Sequence, residues 1–106
     1  MFNSQMNIQQ FVGRLVKDPT LKTTQSGKLL MVFPFAYNTY SKTDETGSTA
    51  CFIDVEAWDK LADFHAKNMK KGMEVVIRGN LVQRRWKDQE NKTRSAFKIV
   101  ARAIVV

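Results

Sequence analysis

Phe52, Asp54, Glu56 and Trp58 fall on one side of an alternating run whose other side is Cys51, Ile53, Val55 and Ala57. In a strand this period of two sends the second set towards a core. It leaves two aromatic rings and two carboxylates on the opposite face. Core packing does not account for rings on the polar side of a strand. Two chemistries are open to them. The flat π faces can stack on unpaired nucleobases, and two carboxylates at that spacing could hold a divalent cation or divide acid and base roles. The second has little else behind it: no third carboxylate is clearly placed with the pair, and Lys60 or Arg84 could neutralise it.

A third aromatic, Trp86, stands between Arg85 and Lys87 in the most basic part of the chain. Residues 67–94 hold nine Lys and Arg (Lys67, Lys70, Lys71, Arg78, Arg84, Arg85, Lys87, Lys92, Arg94) against three acids, Glu74, Asp88 and Glu90. Cations follow a phosphate chain, and an indole face gives an unpaired base a platform. A duplex hides its base faces, so interleaved rings and cations point to a single strand. The alternative is a solvated basic face with Trp86 covering the barrel wall. Tyr40, beside a polar loop, fits either stacking or simple strand termination. Phe33, Phe35 and Phe97 follow the core parity of their strands and are assigned to the core. His65 is the single histidine and reads as an ordinary helix residue. Gly-rich phosphate loops, nucleophile elbows and metal-ligand clusters do not occur. The chain is therefore not read as an enzyme, and neither a cofactor nor a metal is expected.

These residues need elements to position them. A first strand is predicted over 6–17, stopped by Asp18-Pro19. A second covers 28–40, where Leu29, Met31, Phe33, Phe35 and Tyr37 alternate, and Pro34 within it marks an edge, bulge or bend. A polar loop over 41–49 leads to the third strand, 50–58. A helix follows over 59–70, with Asp59 as N-cap, Leu61, Phe64 and Met69 as its apolar stripe, and Gly72 as its C-cap glycine. Strands over 73–86 and 93–106 flank the polar turn 87–92. Five strands with one helix between the third and fourth is the element order of the OB-fold, a small Greek-key barrel. Gly13 and Gly79 fit sharp bends at its corners.

Length and charge agree with this. At 106 residues the chain forms one domain, residues 1–106. Its 17 Lys and Arg against 10 Asp and Glu give a net charge of +7, which favours a polyanionic partner, nucleic acid or an anionic membrane surface. Cys51 is the single cysteine, so no intrachain disulfide forms and a reducing compartment is the simple reading. Neither a bilayer-spanning apolar run nor a signal sequence is present.

Along nearly its whole length the chain resembles the bacterial single-stranded DNA-binding protein family. The residues that carry the likeness are Asn7, Gly13-x-Leu15, Asp18-Pro19 and Gly27, then Ala36-x-Asn38, Phe52-Ile53-x-Val55, Trp58-x-Lys60-x-Ala62 and Met69-Lys70-Lys71-Gly72. The most specific block is Gly79-x-Leu81-x-x-Arg84-x-Trp86. The resemblance implies an OB-fold, sequence-tolerant single-stranded DNA binding in replication, recombination and repair, and a homotetramer in the cytoplasm, associated with the nucleoid. It carries stacking positions onto Phe52, Trp58, Trp86 and Tyr40. It carries phosphate contacts onto Arg84, Arg85 and Lys60, with Arg14, Lys28 and Lys87 behind them. Phe52 stands where the family usually has tryptophan and Trp58 where it usually has phenylalanine; both exchanges keep a π face. Members of the family usually continue into a flexible tail with an acidic, apolar tip that recruits other enzymes. This sequence stops at Ile104-Val105-Val106, so the resemblance implies a core domain or a tail-less plasmid, phage or primosomal relative, without recruitment through a tip. Alternatives to be separated from DNA binding are a primosomal or RNA-binding OB adaptor, a structural subunit whose aromatics form an oligomer interface, and a nuclease using Asp54 and Glu56.

Overall fold

The computed structural model describes residues 7–39 and 47–106. Its elements are β1 (Gln9–Leu15), β2 (Thr20–Thr23), β3 (Leu29–Thr39), β4 (Thr49–Trp58), α1 (Asp59–Ala66), β5 (Glu74–Lys87) and β6 (Thr93–Val105). The sheet runs in the order β1-β5-β6-β4-β3-β2, and a short β1–β3 pairing through Arg14 and Leu15 closes it into a barrel. All pairs are antiparallel except β4 with β6, which run parallel through Asp54–Lys98, Val55–Ile99 and Glu56–Val100. This is the expected OB-fold, with α1 between the third and fourth of the predicted strands.

Alternation along the long strands builds the interior. Leu15, Met31, Phe33, Phe35, Val55, Ile77 and Ile99 are buried, and Ala62 of α1 and Met69 just beyond it join the same core. Phe33 and Phe35 meet edge to face with centroids 6.3 Å apart, a favoured aromatic geometry. Pro34 lies between them. The carbonyl of Pro34 accepts from Val16 N–H at 2.9 Å, and a strand residue's N and O face the same edge. Its missing donor therefore falls in the gap where the partner of β3 changes from β2 to β1.

The glycines in the strands mark close backbone approach. A Cβ on Gly79 would stand 2.2 Å from the Val100 carbonyl, where the β5–β6 register shifts between Arg78 and Gly79, and one on Gly13 would stand 2.1 Å from the Ala36 carbonyl. Only a residue without a side chain fits such contacts.

Three expectations need correction. The first strand is shorter than expected, Gln9–Leu15, and an additional strand beyond Asp18-Pro19, β2, pairs among the described residues with β3 alone. The helix ends at Ala66, and its inward stripe is Ala62, His65 and then Met69; Phe64 is 71% exposed. Asp59 is no N-cap. It opens α1 with φ of 52°, a conformation Asp tolerates, and its Oδ1 accepts from Leu29 N–H at 3.2 Å, tying the start of β3 to the helix. Gly72 does have positive φ, but it lies beyond the helix and its N–H donates to Leu15 O at 2.8 Å, stitching the connection to β1.

Candidate nucleic-acid interface

The outer parity of β4 carries Phe52, Asp54, Glu56 and Trp58, as the alternation required. Their neighbours follow from register. Phe52 lies opposite Ala36, which lies opposite Arg14; Trp58 lies opposite Leu30, which lies opposite Lys22. On the other side of β4, Asp54 stands beside Lys98, which faces Val82, and one step along β6 Ala96 faces Arg84. Arg84 and Trp86 share a parity on β5. The result is one continuous face over β2, β3, β4, β6 and β5, with a groove of about 380 Å³ between Lys22, Leu30, Glu56 and Arg84 that reaches β6 at Ala96, Phe97 and Lys98. Phe52 and Trp58, six residues apart, stand roughly 20 Å from each other along the strand.

The rings are open to solvent. Phe52 is 68% and Trp86 39% exposed, and Trp58 is half-buried. The Arg84 guanidinium carbon lies 4.7 Å from the centre of the Trp86 ring, within cation–π range. One indole face is thus approached by a cation, while the ring as a whole stays 39% exposed.

The carboxylates are not equivalent. Lys98 Nζ donates to both oxygens of Glu56 at 2.7 and 3.0 Å, with the two side chains only 29% and 12% exposed. The counter-ion of Glu56 is therefore Lys98, and not Lys60 or Arg84. Among the described residues no three His, Cys, Asp or Glu side chains stand together as a metal site.

The predicted cations divide by place. Lys28 immediately precedes β3 and Lys60 lies in the first turn of α1, both near the Trp58 end. Arg14 shares a row with Phe52 but is engaged: its Nη1 donates to Gly72 O at 2.9 Å and its Nη2 to Glu74 at 3.3 Å. Arg85 and Lys87 have the opposite parity from Arg84 and Trp86, so they lie on the reverse of the β5–β6 hairpin. Tyr40 lies outside the described residues.

Sequence reasoning missed three residues of this region. Lys22 went unassigned because β2 was not foreseen, although Thr20 and Thr23 around Leu21 are a β-branched signal. Lys98 could be found only from the parallel pairing of β4 and β6. Phe97, assigned to the core, is 53% exposed, because the hairpin runs past the end of the barrel and none of the described residues covers its inner parity there.

The tip of this hairpin is firmly tied. Asp88 Oδ1 accepts from the N–H of Glu90 and of Lys92, and Oδ2 accepts from Arg94 Nε at 2.8 Å. The Arg94 bond, followed by the Lys92 and Glu90 amides, holds the Asp88 carboxyl below its ordinary value. Asn91 takes the left-handed conformation (φ 62°) that closes the turn.

Residues 6–106 match the model of the single-strand binding protein family. The chain belongs to that family. It is 35% identical over 95 residues to the single-stranded DNA-binding protein of Corynebacterium glutamicum, covering 85% of this chain and 42% of that one. It is 33% identical over 103 residues to single-stranded DNA-binding protein 2 of Chlorobaculum tepidum, covering 94% and 70%. It is 35% identical over 92 residues to the single-stranded DNA-binding protein of Aquifex aeolicus, covering 85% and 62%. The chain thus spans from under half to about two-thirds of the length of these relatives.

Proposed function

We propose that this protein binds single-stranded DNA without sequence preference and protects and organises unwound DNA in replication, recombination and repair. The observation that carries the reading is the single sheet face on which Phe52, Trp58 and Trp86 are joined by Arg84 and Lys22. Bases stack on the three rings, and on Tyr40, which follows β3 in sequence, because every base has a π face. Arg84, Lys22, Lys28 and Lys60 take phosphates around them. The open side of Trp86 receives a base while Arg84 backs the ring. Its activity is binding, with no bond made or broken, and its place is the cytoplasm, at the nucleoid. No helix among the described residues is long and apolar enough to cross a membrane.

A homotetramer is part of this reading. Residues 9–14 of β1 pair with β5 along one edge, while the pairing with β3 uses Arg14 and Leu15 alone among the described residues. Among those residues the rest of that edge of β1 has no strand partner, a ready template for another copy.

Intrinsic tryptophan fluorescence tests the function directly, since both tryptophans are in the proposed site. Titration with oligo(dT) is expected to quench strongly, with a midpoint that moves with salt and a clear preference over duplex. Binding without quenching would remove Trp58 and Trp86 from the site. Equal competition by oligo(rU) would favour the RNA-binding adaptor, and absence of binding to any of these would leave the family's fold without its function.

A further inference from the structure

We propose that the reverse face of the β5–β6 hairpin is a second single-strand contact surface, with Phe97 as its stacking platform and Arg85 and Lys87 as its phosphate contacts. The inference rests on the binding function proposed above and extends the path of the strand around the hairpin.

Past Leu81 and Ile99 the hairpin leaves the barrel. Residues 83–87 and 93–97 are exposed on both parities. β1 reaches β5 only as far as Gly79, and β4 reaches β6 only from Lys98 onward. Among the described residues no strand pairs with either edge of the hairpin beyond these points, and the bonds of Asp88 tie its tip into a two-stranded arm. One face carries Trp86 with Arg84. The reverse face repeats that chemistry. Phe97 lies directly opposite Gln83, and Arg85 opposite Ser95, one step along. Diagonal neighbours on such a ribbon are about 7–8 Å apart, within reach of a long side chain. Arg85 Nη2 donates to Gln83 Oε1 at 3.2 Å, which ties the guanidinium to the residue directly opposite Phe97.

A phenylalanine 53% exposed contributes little to the core and asks for a partner. Charge identifies which. Apart from Phe97, the reverse face presents Arg85 and Lys87 with the neutral Gln83, Ser95 and Thr93, and no acid lies among them. A polyanion with planar groups complements that surface. A second copy docking symmetrically would bring like charges together.

The test compares two lengths of oligo(dT). A short one, of about 8 nucleotides, lies within the span of one OB domain, and a long one is several times that. Phe97→Ala is expected to weaken the long oligomer by about 5- to 150-fold and the short one by much less, with Arg85→Ala lowering the salt slope for the long oligomer by about 0.7. A direct readout comes from a variant combining Trp58→Phe, Trp86→Phe and Phe97→Trp. Its sole tryptophan is expected to be quenched by the long oligomer. Undiminished affinity of Phe97→Ala, or an unquenched reporter while the long oligomer binds, would overturn the proposal. A changed native mass in Phe97→Ala would overturn it in favour of an assembly contact. Loss of long-oligomer binding in Trp86→Ala, alongside an unaffected Phe97→Ala, would refute this second surface and leave the proposed function standing.

Discussion

The Glu56–Lys98 pair lies in the floor of the proposed groove, and removing its acid or its base has opposite consequences. Glu56→Gln leaves the Lys98 ammonium, 29% exposed in the wild type, without its carboxylate and free to meet phosphate. One added contact steepens the dependence of log K on log salt by about 0.7 for a single strand. The variant should bind oligo(dT) more tightly than wild type at low salt, and its advantage should shrink about 2- to 3-fold for each fourfold rise in salt. Lys98→Met keeps the length of the stem but strands a carboxylate that is only 12% exposed. Breaking a fully buried pair costs about 3–5 kcal/mol; with the lysine end partly in water, about 1–3 kcal/mol is expected here. Thermal melting should register that as a drop of roughly 4–8 °C per kcal/mol in a domain of this size, and DNA affinity should fall because the bare carboxylate repels phosphate. The assays are fluorescence titration at several salt concentrations and a melting curve for each variant. An unchanged or shallower salt slope in Glu56→Gln would refute the argument, since it would place Lys98 off the path of the strand.

Three further predictions concern the arm ring, the barrel and the helix. Trp86→Ala should weaken binding to all single-strand sequences alike by about 5- to 150-fold, measured by competition among homopolymers; a sequence-dependent loss would contradict stacking. Gly79→Ala puts a methyl 2.2 Å from a backbone carbonyl and should destabilise the fold by about 1–3 kcal/mol or more, read from urea unfolding; a neutral result would mean that the β5–β6 bulge shifts freely. Burial holds the His65 imidazole below its ordinary 6.5, so the unfolded chain binds more protons in the window between the depressed value and 6.5. The stability that the neutral ring contributes is fully present above that window and lost as the pH falls through it. His65→Leu should flatten that part of the stability profile, and parallel profiles for the two proteins would show that His65 does not titrate differently on folding.

Legibility followed the physics of each element. The long strands could be read because each buries one parity on the core, as Met31, Phe33 and Phe35 do in β3. β2 could not, since all four of its residues are exposed and it lies at the rim of the sheet with a single strand partner among the described residues. The helix could be placed but not oriented: over eight residues, Leu61 with Phe64 and Ala62 with His65 are equally regular stripes. The plug of the barrel takes the second because the small Ala62 fits against the closely packed core.

The outward pairing of Phe52 and Trp58, and the basic excess around Trp86, were set by the sequence alone. Alternation is a local property of extended backbone, and charge is a sum over residues. What covers a face is not local. Parity assigns Phe97 to the inner side of β6, but only the length of the hairpin relative to the barrel decides that Phe97 is exposed there. Lys98 likewise becomes the partner of Glu56 because two strands from distant parts of the chain run parallel, and Arg84 and Arg85, adjacent in sequence, part to opposite faces of an arm exposed on both. The sequence determined which groups the protein has to offer and on which side of each strand. The tertiary structure decided which of them meet, which are neutralised, and which remain open to a ligand, because those outcomes depend on where chain segments far apart in sequence come to rest.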